Sequence, residues 1–168
     1  LFQGRRIGLG ASTPPPSILH SMIKFGYSGM PPEGVTDEDF LDGLVAHGHT
    51  AFELAFVKDF PWKKDRCQAF GAAAAQRGIT LSVHAPYFAV LTIEEEDKAK
   101  RCIAALEHAM KLCAALGGTT VVSHPGNQRD RDPIGVTAVI RGALDYLEPK
   151  VRELGVTLSL ETVGRKAQ

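Results

Sequence analysis

Three short apolar runs in this sequence close on a side chain able to hold a metal ion. "SVHAPYF", residues 82–88, ends the run Ile79 to Val83 with His84, then adds Ala85, Pro86 and two aromatics, Tyr87 and Phe88. "VVSHPGN", residues 121–127, ends a second run with His124, and "LSLETVG", residues 158–164, ends a third with Glu161. Two imidazoles and a carboxylate form a donor set suited to zinc, manganese or iron. Taken singly, a strand-end histidine is more often a satisfied structural residue, and a strand-end glutamate more often half of an ion pair. Three consecutive strand ends of this kind, two with proline one or two residues on, point instead to a metal site.

The remaining histidines do not join this pattern. His20 falls in a proline-rich loop, His47 and His49 in a turn between helix and strand, and His108 in mid-helix, so all four read as solvated or structural. Glu53 is different, because it interrupts an apolar run and a buried carboxylate needs a partner. It either faces the interior and supports the site or belongs to a structural ion pair. Tyr87 and Phe88 fall on a loop just past a strand. There they either stack on a base or sugar or pack beneath the next loop.

These residues are positioned by an alternation of two kinds of segment. Short runs rich in Val, Ile, Leu, Phe and Thr read as strands buried on both faces: 7–11, 51–57, 79–84, 119–124 and 156–161. Between them, Asp37 to His47 follows the N-cap Thr36, and Lys63 to Arg77 stops at Gly78. Glu94 to Leu116 and Pro133 to Leu154 carry apolar residues at helical spacing and stop at Gly117 and Gly155. The tract Ser12 to Glu33, with Pro14 to Pro16 and Pro31-Pro32, reads as a long loop with one helical turn near Ile18 to Lys24. Strands alternating with helices imply βαβ units and a parallel sheet. The ends that bear His84, His124 and Glu161 then share one face, where such folds place their active sites.

Composition bounds the partners. The 168 residues hold 19 Lys plus Arg against 19 Asp plus Glu, a net charge of zero, which excludes a nucleic-acid binder held mainly by bulk charge but not a local basic groove. Cys67, Cys102 and Cys113 form no CxxC pair and suit reduced thiols, hence a cytoplasmic setting. No apolar run of about 18 residues calls for a membrane. Leu1 to Gly4 resembles the remnant of a viral-protease tag-removal site, which leaves residues 5–168 for the fold, either an open five-stranded sheet or the N-terminal part of a single longer domain.

"HAPYF", "SHPGN" and "LETVGRKAQ", in that order at the ends of three successive strands, resemble endonuclease IV and, more broadly, the xylose-isomerase-like superfamily. The resemblance runs from about Ile7 to Gln168 and is concentrated in the three motifs. It implies an α/β fold, a (β/α)8 TIM barrel, present here as a partial barrel of about five βα units, since a whole barrel takes about 250 residues. It implies up to three zinc ions, with manganese or magnesium as alternatives. His84, His124 and Glu161 would be ligands, Glu161 would be the catalytic bridging carboxylate, and Tyr87 and Phe88 would enter the minor groove. The implied activity is hydrolysis of the phosphodiester 5′ to abasic sites in DNA, by a monomer once the barrel is complete. A metal-dependent sugar isomerase or epimerase of the same superfamily is the alternative, and a metal-free binding module a third.

Overall fold

The computed structural model describes residues 23–162. Within them the chain runs β1 Gly26–Gly29, α1 Asp37–Ala46, β2 Ala51–Ala55, α2 Lys64–Gln76, β3 Thr80–His84, α3 Glu96–Ala115, β4 Thr120–Ser123, α4 Pro133–Leu154 and β5 Thr157–Leu160. All neighbouring strands are parallel and their spatial order is their chain order, β1-β2-β3-β4-β5. An open doubly wound sheet reverses its order at a switch point. An unreversed order with right-handed crossovers puts every helix on one side. Consecutive helices accordingly pack on one another, α1 on α2, α2 on α3 and α3 on α4. These are four βα units and a fifth strand of a (β/α)8 barrel, a partial barrel as expected.

The helix boundaries follow local chemistry. Thr36 Oγ1 accepts from the Asp39 amide at 3.1 Å, and the Asp132 carboxylate accepts from the Gly135 amide at 2.8 Å, each satisfying an otherwise unpaired first-turn donor. Gly155 closes α4 in the left-handed region at φ 63°.

Near the start the structure departs from the loop reading and leaves two other readings outside what it describes. The strand foreseen at 7–11 lies outside the described residues, as do residues 18–22 of the foreseen helical turn. Ile23 and Lys24 are not helical, and β1 lies inside the tract read as loop. Its sequence, Gly-Tyr-Ser-Gly, carries two glycines, which weaken any strand signal. Packing demands one of them: a Cβ on Gly26 would lie 1.7 Å from the Ala51 carbonyl oxygen.

Along each strand the side chains alternate between two faces. Phe52, Leu54, Leu81, Val83 and Val121 are buried under the helices, where Leu106, Ala109 and Met110 of α3 meet them in one core. The opposite face would line the barrel interior. Register puts Ser28, Glu53 and Ser82 in one layer there, and Ala55, His84, Val122 and Ser159 in the next.

Candidate metal centre

His84 is the last residue of β3, while His124 and Glu161 each follow their strand by one residue. The ladder continues past both strands: Ala85 donates its amide to the Val122 carbonyl at 2.8 Å, and Glu161 donates to the Ser123 carbonyl at 2.9 Å. Because His84 pairs with Val122 and Val122 with Ser159, residues 124 and 161 keep the same parity as His84. All three side chains therefore emerge on the interior face. One ligand atom from each lies within 4.8 Å of the other two.

The hydrogen bonds set the imidazoles up as ligands. His84 Nδ1 lies 2.8 Å from the Ala85 carbonyl, which only accepts, so that nitrogen donates there and Nε2 is the ring nitrogen turned toward Glu161. Nε2 sits 3.3 Å from Glu161 Oε2. His124 Nδ1 is 3.3 Å from the Glu161 carbonyl oxygen and 3.9 Å from Oε2. Holding the second ring nitrogen on a carbonyl is the usual outer-shell arrangement around a metal-binding histidine. Two donors about 2.0–2.1 Å from a tetrahedral zinc would be roughly 3.3 Å apart, which is the spacing of the His84 and Glu161 donors. The residues present therefore fit such an ion. The imidazoles are largely covered, at 13% and 17% side-chain exposure, whereas the Glu161 side chain is 54% exposed.

Tyr87 and Phe88 part company. The Tyr87 ring stacks on His124, with centroids 5.5 Å apart and planes 18° apart, and meets His84 edge-on at 5.6 Å. It walls the two histidines. Phe88 has no such ring partner among the described residues and stands half exposed at the rim. Glu53 lies one layer below His84 and touches neither histidine. It accepts from Ser28 Oγ at 2.9 Å and from Ser82 Oγ at 3.2 Å, so its partners are two hydroxyls rather than the cation of an ion pair. The histidines set aside stand apart from the site where described: His47 and His108 are exposed, His47 Nδ1 contacts the Gly43 carbonyl at 2.8 Å, His49 packs on Tyr27 and His108 on Phe60. His20 lies outside the described residues. Sequence reasoning missed Ser123, whose hydroxyl donates to the Ala89 carbonyl at 3.0 Å, and Arg131, which bridges the loops after β3 and β4. Ser123 stands inside the quoted "SHPGN" but beside the more conspicuous His124, and Arg131 belongs to no motif.

A family model described as xylose isomerase-like TIM barrel matches residues 41–168. The chain belongs to this family. Among relatives, an uncharacterised protein of Methanocaldococcus jannaschii is 29% identical over 151 residues, covering 88% of this chain and 54% of its own length. A protein described as probable endonuclease 4, from Aster yellows witches'-broom phytoplasma, is 33% identical over 85 residues, covering 49% of this chain and 28% of its own. Among solved structures, D-psicose 3-epimerase in the presence of D-fructose superposes with a TM-score of 0.65 at 16% identity, over 85% of this chain and 53% of that one. L-ribulose 3-epimerase superposes with a TM-score of 0.62 at 19% identity, over 74% and 43%. At such identities the likeness is one of fold. The chain spans about half the length, or less, of the relatives it matches. No helix among the described residues is long and apolar enough to cross a membrane.

Proposed function

We propose that the complete protein is a metal-dependent hydrolase that cuts DNA at the phosphodiester 5′ to an abasic site, with zinc held by His84, His124 and Glu161. The observation that carries this reading is the convergence of those three donors within 4.8 Å at the C-terminal ends of adjacent strands. The 33% identity with a probable endonuclease 4 over 85 residues supports the choice of reaction. When bound, zinc lowers the pKa of water and polarises a phosphoryl oxygen. The chain's own residues do the rest. His84 presents Nε2 while its Nδ1 donates to the Ala85 carbonyl. Glu161 is the catalytic carboxylate that reaches the reacting atoms. Tyr87 keeps both imidazole planes in place, and Phe88 is free to fill the gap at the lesion. An abasic nucleotide is cheap to displace, since no base pair is lost. Glu53 supports the site from the layer below. The partner is duplex DNA, met by a monomeric barrel. Three free, buried cysteines support a reducing, cytoplasmic setting.

A second reading, sugar isomerisation or epimerisation at one ion, is favoured by Tyr87. Stacked on His124, it walls the cleft as a sugar site requires instead of projecting as a wedge. Incision of a duplex carrying one abasic site separates the two. Chelator-sensitive cleavage on the 5′ side, abolished in His84→Ala and Glu161→Gln, supports the nuclease. Folded, metal-loaded protein that leaves the duplex intact and interconverts ketoses supports the second reading.

A further inference from the structure

The guanidinium of Arg131 ties together the two loops that leave the metal-site histidines. Nη1 donates to the Thr92 carbonyl at 2.7 Å and to Glu94 Oε1 at 2.9 Å, both on the loop after β3. Nη2 donates to the Asn127 carbonyl at 2.6 Å and Nε to the Gln128 carbonyl at 3.1 Å, both on the loop after β4. Gln128 Nε2 in turn donates to the Arg131 carbonyl at 3.1 Å. A planar guanidinium offers five N–H groups in a rigid fork, a geometry that lysine lacks. Here it gathers three main-chain carbonyls that no helix or strand uses.

Other contacts align with the same seam. The Leu91 amide donates to the Pro125 carbonyl at 3.0 Å. Gly126, at φ 106°, lies so close to Thr92 that a Cβ would fall 2.0 Å from its Oγ1. The first loop starts at His84 and carries Tyr87, while the second starts at His124. The stack of Tyr87 on His124 therefore joins two loops, and its geometry depends on how those loops are held relative to each other.

We propose that Arg131 is a positioning residue: it locks the loop after β3 to the loop after β4 and thereby fixes the Tyr87–His124 pair beside the metal centre. It touches none of the three donors and acts through the loops. The claim about the metal rests on the proposed function; the claim about the loops does not.

The test uses the complete protein and its Arg131→Ala and Arg131→Lys variants, with two readouts. Amide exchange of the metal-free proteins reports the loops, and cobalt(II) titration followed by visible absorption reports the ligand geometry. Arg131→Ala is expected to speed exchange of the Leu91 amide at least about tenfold while leaving Leu81 and Val83 in β3 at the parent rate. It is expected to weaken cobalt binding about tenfold and to change the cobalt spectrum, and Arg131→Lys is expected not to restore either. Leu91 exchange within twofold of the parent in a folded variant would overturn the lock. Faster exchange with unchanged cobalt affinity and spectrum would overturn the positioning role. If Arg131→Ala does not fold, Arg131→Lys decides by the same two criteria. A parent protein that binds no cobalt contradicts the metal centre itself, and the exchange comparison still decides the loops.

Discussion

Tyr87 lies flat against His124 at 5.5 Å, and the two rings come from different loops. The same ring meets His84 edge-on, so one half-exposed tyrosine contacts both imidazoles. A sequence reader sees an aromatic available to a ligand, whereas the fold spends one of its faces on holding histidines.

Removing that ring should loosen the site more than the fold. An aromatic pair contributes about 0.5–1.5 kcal/mol beyond its buried area, so Tyr87→Ala should lower Tm by a few degrees and weaken zinc binding. Tyr87→Phe keeps the ring and should match the parent in both. Thermal unfolding and a zinc titration check this. Equal zinc affinity for Tyr87→Ala and parent would show that the stack does not hold the ligand.

The seam at Gly126 offers a coupled test. Gly126→Ala should destabilise by about 1–3 kcal/mol, from the left-handed φ and from the clash with Thr92. Thr92→Ala removes Oγ1, so the double variant should lose less than the sum of the single losses. Denaturant melts of the four proteins give the coupling energy. Strict additivity would mean the two loops are not in contact there.

The buried thiols predict alkaline weakening. Burial pushes Cys67 and Cys113 each up to about 11, against about 8.5 for an ordinary thiol. Above the ordinary value the unfolded chain loses these protons and the folded chain keeps them. The stabilisation is therefore complete below about pH 8.5 and is lost as pH rises toward 11, on the order of 3 kcal/mol per thiol. Urea melts of the parent and of Cys113→Ala from pH 8 to 11 should show a shallower decline in the variant. Parallel declines would assign the loss to other groups.

Glu53 should prove to be held by hydroxyls. Glu53→Gln keeps an acceptor oxygen for Ser28 or Ser82 and should change stability by no more than about 1 kcal/mol. Glu53→Leu leaves the half-buried Ser82 hydroxyl without its acceptor, while the exposed Ser28 turns to water, and should cost about 1–2 kcal/mol. Chemical denaturation distinguishes them. An equal loss in both variants would indicate that the charge itself matters.

Much of this was legible in the residues. The runs of Val, Ile, Leu and Phe mark β2 to β5, and Thr36 and Gly155 mark helix ends through capping chemistry. That His84, His124 and Glu161 share a face follows from parallel strands and a two-residue period. Their approach to 4.8 Å does not follow, because it depends on register and on the path of each chain past its strand. β1 was hidden by glycines that the Gly26–Ala51 contact requires. Glu53 stood out as a carboxylate in an apolar run, but its serine partners sit on neighbouring strands and appear only once the register is known. "NQRDRDP" offers two arginines and nothing in the residues that ranks them. Which arginine turns inward is settled by the backbone, where Arg129 takes the left-handed φ of 53° and Arg131 reaches across the seam.

The central claim is that His84, His124 and Glu161 together hold a metal ion. The most direct measurement is anomalous diffraction at the zinc edge from crystals of the complete protein grown with zinc. The expected result is a peak bounded by His84 Nε2, an imidazole nitrogen of His124 and the Glu161 carboxylate, absent in His84→Ala crystals. Fully zinc-exposed crystals with no peak there, or with zinc bound only at other residues, would contradict it.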